Sequence, residues 1–350
     1  MDWLDNMTRE EIWIANKYLS TATGVTTTCI PSLQAMGMAP NTQVATSNDQ
    51  KSELLASLFF PPPPVVSTVL LTFQYPCSVP LPPTVTDVTL TAMIAKLSPY
   101  KAPGPDSICN IVFKRCSDIL SPHLLRLFRA MLTLDTFYDL WRDFTTVVLH
   151  KPGCPDYTLP TLYRLIALLN TTYKLLSAIV ANQLSYLLEA NHLLPSTHFS
   201  GCLGHSTTDS RHLLAATIRN TWHSNKIVSV LFLNIEGAFP NVVMACLLHN
   251  MHRCRIPAKI VSFIQQALHS RRTHVKFDGH TSDWIPINNR IGQGDPLSMI
   301  LYIIYNIDLL DIPTGNEWSE CAQAFVDDTM LLAVGKTFEE THATLKNMME

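Results

Sequence analysis

Apolar residues recur at helical spacing over residues 117–134, 171–192, 209–224, 257–270 and 296–311, which predicts five helices with a buried stripe or a wholly buried surface. A shorter helical pattern follows Thr86 and Asp87 and ends near Leu97. Strand-like apolar runs occupy 145–149, 227–233, 274–277, 323–326 and 330–334. Thr8 with Glu11, and Thr337 with Glu340, have capping-box spacing, so a short helix is expected near the start and another at the end. Residues 59–85 are rich in proline, including Pro61 to Pro64, and read as an extended linker because such a run sustains neither a helix nor a central strand. Helices mixed with hairpins, without a regular βαβ rhythm, give an α+β class.

Composition narrows the picture. The 350 residues are 47% hydrophobic and only 15% charged, which excludes a disordered, charge-rich chain. Nine cysteines lie singly with no CxxC pair, so no zinc ribbon or dithiol redox site is signalled and a reduced, intracellular protein is expected. The acidic start lacks the pattern of a signal peptide, and no run of about 18 apolar residues predicts a membrane span. The formal charge of −3 speaks, taken whole, against a nucleic-acid binder. Divided along the chain it reads differently. Residues 96–226 carry 13 Lys and Arg against 8 Asp and Glu, while residues 1–95 and 227–350 are each net −4.

Three segments carry candidate chemistry. In Ala324-Phe325-Val326-Asp327-Asp328-Thr329-Met330-Leu331-Leu332, two apolar strands flank an Asp pair, which predicts a tight hairpin with two carboxylates at its tip. Adjacent carboxylates repel unless a cation holds them, and Mg²⁺ takes such oxygens together with substrate phosphates. Taken alone, the pair reads more readily as an ordinary Asp turn. The strand at 228–233 runs into Asn234-Ile235-Glu236-Gly237-Ala238-Phe239-Pro240, with a helix expected to start at Pro240, an arrangement suited to phosphate. Ile291-Gly292-Gln293-Gly294-Asp295-Pro296 precedes an apolar helix, and its glycines let backbone approach a ligand.

In this order the segments resemble the reverse transcriptase of non-LTR, LINE-type retrotransposons, in its fungal form. Further motifs extend the resemblance over about residues 95–350. They are Lys101-Ala102-Pro103-Gly104-Pro105-Asp106, Lys151-Pro152-Gly153 with Tyr163-Arg164, and the stretch from Phe199 to Asp209. The resemblance implies a right-hand polymerase fold with fingers and a partial palm, the palm an antiparallel sheet with helices on one face, and the thumb absent. It divides the chain into a leader with a short helix (1–58), a Pro-rich linker (59–85), fingers (86–226) and partial palm (227–350).

The roles it implies are specific. Asp327 and Asp328 stand at the metal-binding pair, and Asn234 stands where the family has its third metal-binding Asp. Gly237 and Ala238 stand where backbone amides meet a triphosphate. Phe239 stands at the steric gate that favours dNTP over rNTP. Gln293 and Gly294 belong to the loop packed on the incoming nucleotide, and Lys151 and Arg164 to the cations on its phosphates, where charge-assisted hydrogen bonds suit. The implied cofactor is Mg²⁺ or Mn²⁺, two ions in an intact relative, one activating the primer 3′-OH and the other neutralising pyrophosphate. The implied partners are an RNA template, a DNA primer and dNTPs, with no membrane. Localisation is expected to be intracellular, in nucleus or cytoplasm.

Several positions depart from the family pattern. Asn234 supplies no negative charge, a loss typically worth at least ~3 kcal/mol, or about a hundredfold in rate. Leu165 replaces the usual Pro; Cys202, Leu203 and His205 replace Arg, Pro and Arg; Ser107 and Arg290 replace Gly; Cys154 replaces a basic residue. Most of these changes arise from a single C-to-T transition on one strand, which suggests a decaying element copy. The chain also ends soon after the Asp pair, so a truncated hand with an exposed apolar sheet edge is expected. The readings are therefore an enzyme by descent that is now inactive, a non-catalytic nucleic-acid-binding remnant, or a functionless product. Lesser signals read as structural. His249 and His252, three apart on a helix, lack a third ligand and read as surface residues; residues 300–310 read as core; Trp13, Trp141, Trp222 and Trp284 read as packing residues.

Overall fold

The structure, a computed structural model, describes residues 29–34, 44–62, 69–70, 72–154, 156–200, 206–287, 291–313 and 319–350. The expected capping box at Thr8, Trp13, and the substituted positions Cys202, Leu203, His205 and Arg290 lie outside them.

A short antiparallel pair, β1 (Leu33–Gln34) and β2 (Val44–Ala45), precedes helix α1 (Asn48–Phe59). The reading of 1–58 as leader does not predict α1, although Ser47-x-x-Gln50 is a complete capping box: the Ser47 hydroxyl accepts from the Gln50 N–H and the Gln50 side chain accepts from the Ser47 N–H. Described residues between 72 and 85 form neither helix nor strand, as their prolines require. They form a strap held against the core. Val79 and Val85 are buried, Arg129 donates to the Val85 carbonyl at 2.7 Å, and Val79 N–H donates to Arg255 O at 2.9 Å.

Helices α2 (Asp87–Lys96, capped by Thr86), α3 (Asn110–Arg115) and α4 (Ser117–Leu134) lead to β3 (Asp143–His150) and β4 (Tyr163–Leu168). Then come α5 (Thr171–Ala190), α6 (Thr207–His223), β5 (Ile227–Asn234), α7 (Met244–Arg253) and α8 (Ala258–Leu268). Strands β6 (Arg271–Phe277), β7 (His280–Thr281) and β8 (Ile285–Ile287) precede α9 (Pro296–Tyr305), β9 (Glu320–Phe325), β10 (Asp328–Gly335) and α10 (Phe338–Met349). All six helical patterns and all five strand runs are thus occupied, within a few residues. The helix expected at Pro240 is not: residues 237–241 form a turn closed by Asn241 N–H to Gly237 O at 3.0 Å, and α7 starts at Met244. Gly237 at φ +63° turns the chain out of helical geometry, so the proline lies inside a turn instead of opening a helix.

Two sheets carry the architecture. In one, β4-β3-β6-β7 run in order with β8 also on β6, and β3 pairs with β6 in parallel from Asp143↔Arg272 to Val147↔Lys276. This parallel pair, joined by a long excursion, has no counterpart in the expected set of hairpins. The other sheet is β5-β10-β9, antiparallel throughout. Strand alternation and register set its faces. Leu231, Leu233, Ala322, Ala324 and Leu331 point into an apolar cluster with Met348 of α10, while Phe232, Asn234 and Asp328 lie on the opposite face.

The main core forms where α5 crosses α9. Ile300, Leu301, Tyr302, Ile303 and Ile304 are each at most 2% exposed, so α9 is buried all round over these residues, while Met299 in its first turn is 46% exposed. At about 1.5–3 kcal/mol per fully buried large apolar side chain, this one helix supplies roughly 10 kcal/mol of transfer free energy. A second cluster covers one face of the larger sheet. There, Leu55 of α1 and Leu33 of β1 pack on Tyr163, Leu165, Val275 and Phe277. Leu165, a departure from the expected Pro, is simply part of this cluster. Among the described residues no helix is long and apolar enough to cross a membrane.

Candidate functional site

The loop before α9 is fixed from below. Asp295 caps α9, its carboxylate accepting from Leu297 N–H at 3.0 Å, and it also accepts from the hydroxyls of Tyr173 (2.9 Å) and Ser177 on α5. The group is buried, and Arg271 faces it from β6. Desolvation pushes the Tyr173 phenol well up, with the Asp295 charge adding to it, and burial lowers the Arg271 guanidinium. From above, Ala167 N–H of β4 donates to Gln293 O at 2.8 Å. Gly294, at φ +118°, lies so close to β4 that a Cβ would sit 2.7 Å from Ala167 O. The loop therefore joins the larger sheet to the core helices.

The Asp pair is not symmetrically placed. Val326 and Asp327 form the two-residue connection, and Asp328 is already the first residue of β10, paired with Phe325 and Asn234. The tip expected to hold both carboxylates holds one. Val326 has φ +59°, a conformation that two-residue hairpins usually give to glycine and that costs a β-branched residue about 1–3 kcal/mol. Asp327 is half-buried and Asp328 exposed. Burial, with the Asp327 charge next in size, raises the Tyr302 phenol to about 12. Tyr302 also underlies Phe239, ring centroids 5.2 Å apart. One buried tyrosine of α9 thus supports both Phe239 and the hairpin.

These parts surround a single cleft of about 430 Å³. It is lined by Lys151, Arg164, Asn234, Gly237, Ala238, Phe239, Gln293 and Asp327, eight of the ten residues singled out from sequence. The remaining two differ. Gly294 lies next to lining residue Gln293 against β4, while Asp328 opens on a second cleft of about 420 Å³ under α6, which Asn234 also borders. Among the lining residues that sequence reasoning missed are Arg271, Glu236, and Phe59 with Phe60 at the end of α1. Of these, only Glu236 had a signal, its place inside a motif. Lys151 and Arg164 stand against Asp327 and Glu236, while the Arg271 charge is faced by buried Asp295, so an anion would be drawn by the two cations directly and not by a net positive lining. The volume matches a nucleotide-sized ligand.

For a metal the donor set is thin. Asp327, Asp328 and Asn234 offer two carboxylates and a neutral amide oxygen, and among the described residues no group of three or more His, Cys, Asp or Glu could hold an ion. Such a set fits one hard cation that also draws on substrate phosphates, and it lacks the charge for two.

Other expectations resolve as follows. His249 stands on the surface with Tyr75, whose hydroxyl lies 2.9 Å from Nδ1, and His252 packs beside the same ring. Trp141 is buried, but Trp222 is 66% exposed and Trp284 42% exposed, so neither is a core residue; Trp284 stacks on His274 with Arg272 over its ring. Trp222 is the penultimate residue of α6 and Trp284 lies on the edge before β8, positions with no layer above them.

Comparison with known proteins bears on the cleft as a whole. A family model for reverse transcriptase (RNA-dependent DNA polymerase) matches residues 149–350. The chain is 29% identical over 245 residues to the probable RNA-directed DNA polymerase from transposon BS of Drosophila melanogaster, covering 68% of this chain and 26% of that protein. It is 28% identical over 236 residues to the corresponding protein from the transposon X-element of the same fly, covering 67% and 26%. It is 25% identical over 264 residues to the RNA-directed DNA polymerase from the mobile element jockey, covering 74% and 28%. All three are insect elements, so they do not single out the fungal form expected from sequence. The chain spans about a quarter of the length of these relatives.

Proposed function

The chain belongs to the reverse transcriptase (RNA-dependent DNA polymerase) family, and from that premise we propose that it is the polymerase domain of a non-LTR retrotransposon whose nucleotide cleft is retained while its metal site is one charge short. The observation that carries this is the convergence of eight sequence-chosen residues on one cleft of nucleotide size. In this reading residues 86–226 are fingers that take back the strands at 271–287, and residues 227–350 form a partial palm around β5-β10-β9.

The chemistry follows from the lining. Lys151 and Arg164 bind the triphosphate through charge-assisted hydrogen bonds. Backbone at Gly237 and Ala238 approaches the same phosphates. Phe239, backed by Tyr302, crowds the sugar 2′ position and disfavours a ribose. Gln293 and Gly294 pack on the nucleotide from the loop that Asp295 anchors. Asp327, Asp328 and Asn234 would hold the divalent ion, which when bound activates the primer 3′-OH and offsets charge on the leaving pyrophosphate. Template and primer are held through their phosphates, independently of sequence. The protein acts inside the cell, where nucleic acid and dNTPs meet.

Asn234 decides between enzyme and remnant. With an amide in place of the third carboxylate, nucleotide binding outlasts catalysis, and the chain is a nucleic-acid and nucleotide binder with little or no polymerase activity. Primer extension on an RNA template in Mg²⁺ and in Mn²⁺ tests this. Incorporation by the unmodified chain at least a hundredfold below that of a fully acidic relative is expected. Robust incorporation would overturn the inactivity, and failure to bind dNTP at all would overturn the nucleotide site.

A further inference from the structure

The proline run after α1 has a consequence for the cleft. Helix α1 is anchored by Leu55, which is fully buried against the larger sheet, and Phe59 lies one turn further on the same face. Phe60 closes the helix, its N–H donating to Ala56 O at 2.7 Å. Pro61 then bars helical geometry at the residue before it, and Phe60 leaves the helix at φ −127°, ψ 54°. The result is that both rings end at the cleft wall. Phe60 packs against the main core and against the second cluster, so it pins the two together at this edge.

Five aromatic residues line the cleft: Phe59, Phe60, Phe144, Tyr163 and Phe239. Phe144 and Tyr163 are at most 3% exposed and face the packed interior. The other three are half-buried. Phe239 is assigned to the sugar, and the cations Lys151 and Arg164 to the phosphates. A bound nucleotide still presents one large apolar face, its base, and Phe59 with Phe60 are the remaining rings able to meet it.

We propose that Phe59 and Phe60 form the wall against which the base of the bound nucleotide lies, so that the segment before the Pro-rich strap is part of the nucleotide site. This rests on the nucleotide reading of the cleft. The rings are positioning and binding residues, acting through contact with the base and independent of its identity, because every base has a π-face.

The test separates base from phosphate. Binding of dGTP and of inorganic tripolyphosphate is measured by titration calorimetry in Mg²⁺ on the full chain, on Phe59→Leu, on Phe60→Leu and on Lys151→Ala. Leucine keeps apolar volume, and thermal unfolding checks that each variant folds. The two phenylalanine variants are expected to bind dGTP about tenfold more weakly and tripolyphosphate within twofold of the unmodified chain. Lys151→Ala is expected to lose both. Equal losses for both ligands, or no loss for dGTP, would overturn the wall. If the unmodified chain binds tripolyphosphate and dGTP equally tightly, the base makes no contact and only this inference falls. If it binds neither, the nucleotide reading falls and takes the wall with it.

Discussion

Replacing Asn234 with aspartate restores the missing charge, and its effect reverses sign with the metal. Asn234 and Asp328 are cross-strand partners on one face of the smaller sheet. Directly opposed residues hold their Cβ atoms about 4.5–5.5 Å apart. Both positions are exposed, so the dielectric of water is the relevant one. Two unit charges ~5 Å apart then repel by about 0.8 kcal/mol. Without a divalent ion, Asn234→Asp should therefore lower stability by about 1 kcal/mol, roughly 2 °C in Tm for a domain of this size. With several millimolar Mg²⁺, the third carboxylate becomes a ligand and the penalty should vanish or invert, since an ion bound to the native state stabilises by mass action. The unmodified chain should respond to Mg²⁺ much less. Thermal unfolding of both proteins, with EDTA and with Mg²⁺, reads this directly and needs no polymerase activity. An equal fall in Tm for the variant under both conditions would show that no ion is held there, and the assignment of the three positions would fail.

Three further outcomes follow from the buried framework. Gly104→Ala should destabilise by about 3 kcal/mol or more in urea unfolding, because its Cβ would sit 2.3 Å from Leu169 O and 2.6 Å from Asn170 N, both backbone; a loss below about 1 kcal/mol would refute the close approach. Asp295→Ala should cost about 3 kcal/mol in the same assay, since it removes a helix cap and the acceptor of two buried hydroxyls. His198, 1% exposed beside β9, is lowered by burial to about 4 from 6.5. Its unfolded form therefore gains the proton first, so its contribution is complete above about pH 6.5 and is lost as pH falls towards 4. Between pH 7 and pH 5 the unmodified chain should lose about 2 kcal/mol more than His198→Gln, and equal losses would refute the buried neutral imidazole.

Which parts of this fold the sequence carries follows from the range of the forces involved. Helices α4, α5 and α9 and the β9–β10 hairpin are written in local periodicity, so the positions of their residues were readable. The Asp327 hairpin and the loop holding Gln293 are legible as candidate chemistry from their own residues, but Lys151 only through resemblance, and nothing local says that Lys151 and Gln293, 142 positions apart, share a cleft. The parallel β3–β6 pair escaped both routes. Its strands are separated by β4, four helices and a strand of the other sheet, and pairing is decided by packing that no window of sequence contains. Helix α1 escapes for another reason: its Ser47-x-x-Gln50 box is explicit, but residues 1–58 read as a leader whose one short helix is placed at the Thr8 box.

The same proline run changes how the net charge and the leader are to be understood. A leader treated as separable carries acidic residues away from the site and leaves a basic middle region. In the folded chain, α1 closes the wall of the cleft and strap residues 79–85 are tied to α4 through Arg129 and, through Arg255, to the turn between α7 and α8. Charge in the cleft is then set locally, by Lys151 and Arg164 against Asp327 and Glu236, and not by the −3 of the chain. An anionic ligand is favoured inside a protein that is acidic overall, because interactions beyond about 8–10 Å are screened at ordinary salt while those across the cleft are not. Removing residues 29–62 would therefore do more than shorten the chain. It would strip the cover from Tyr163, Leu165, Val275 and Phe277, exposing the apolar face of the sheet that also holds Arg164.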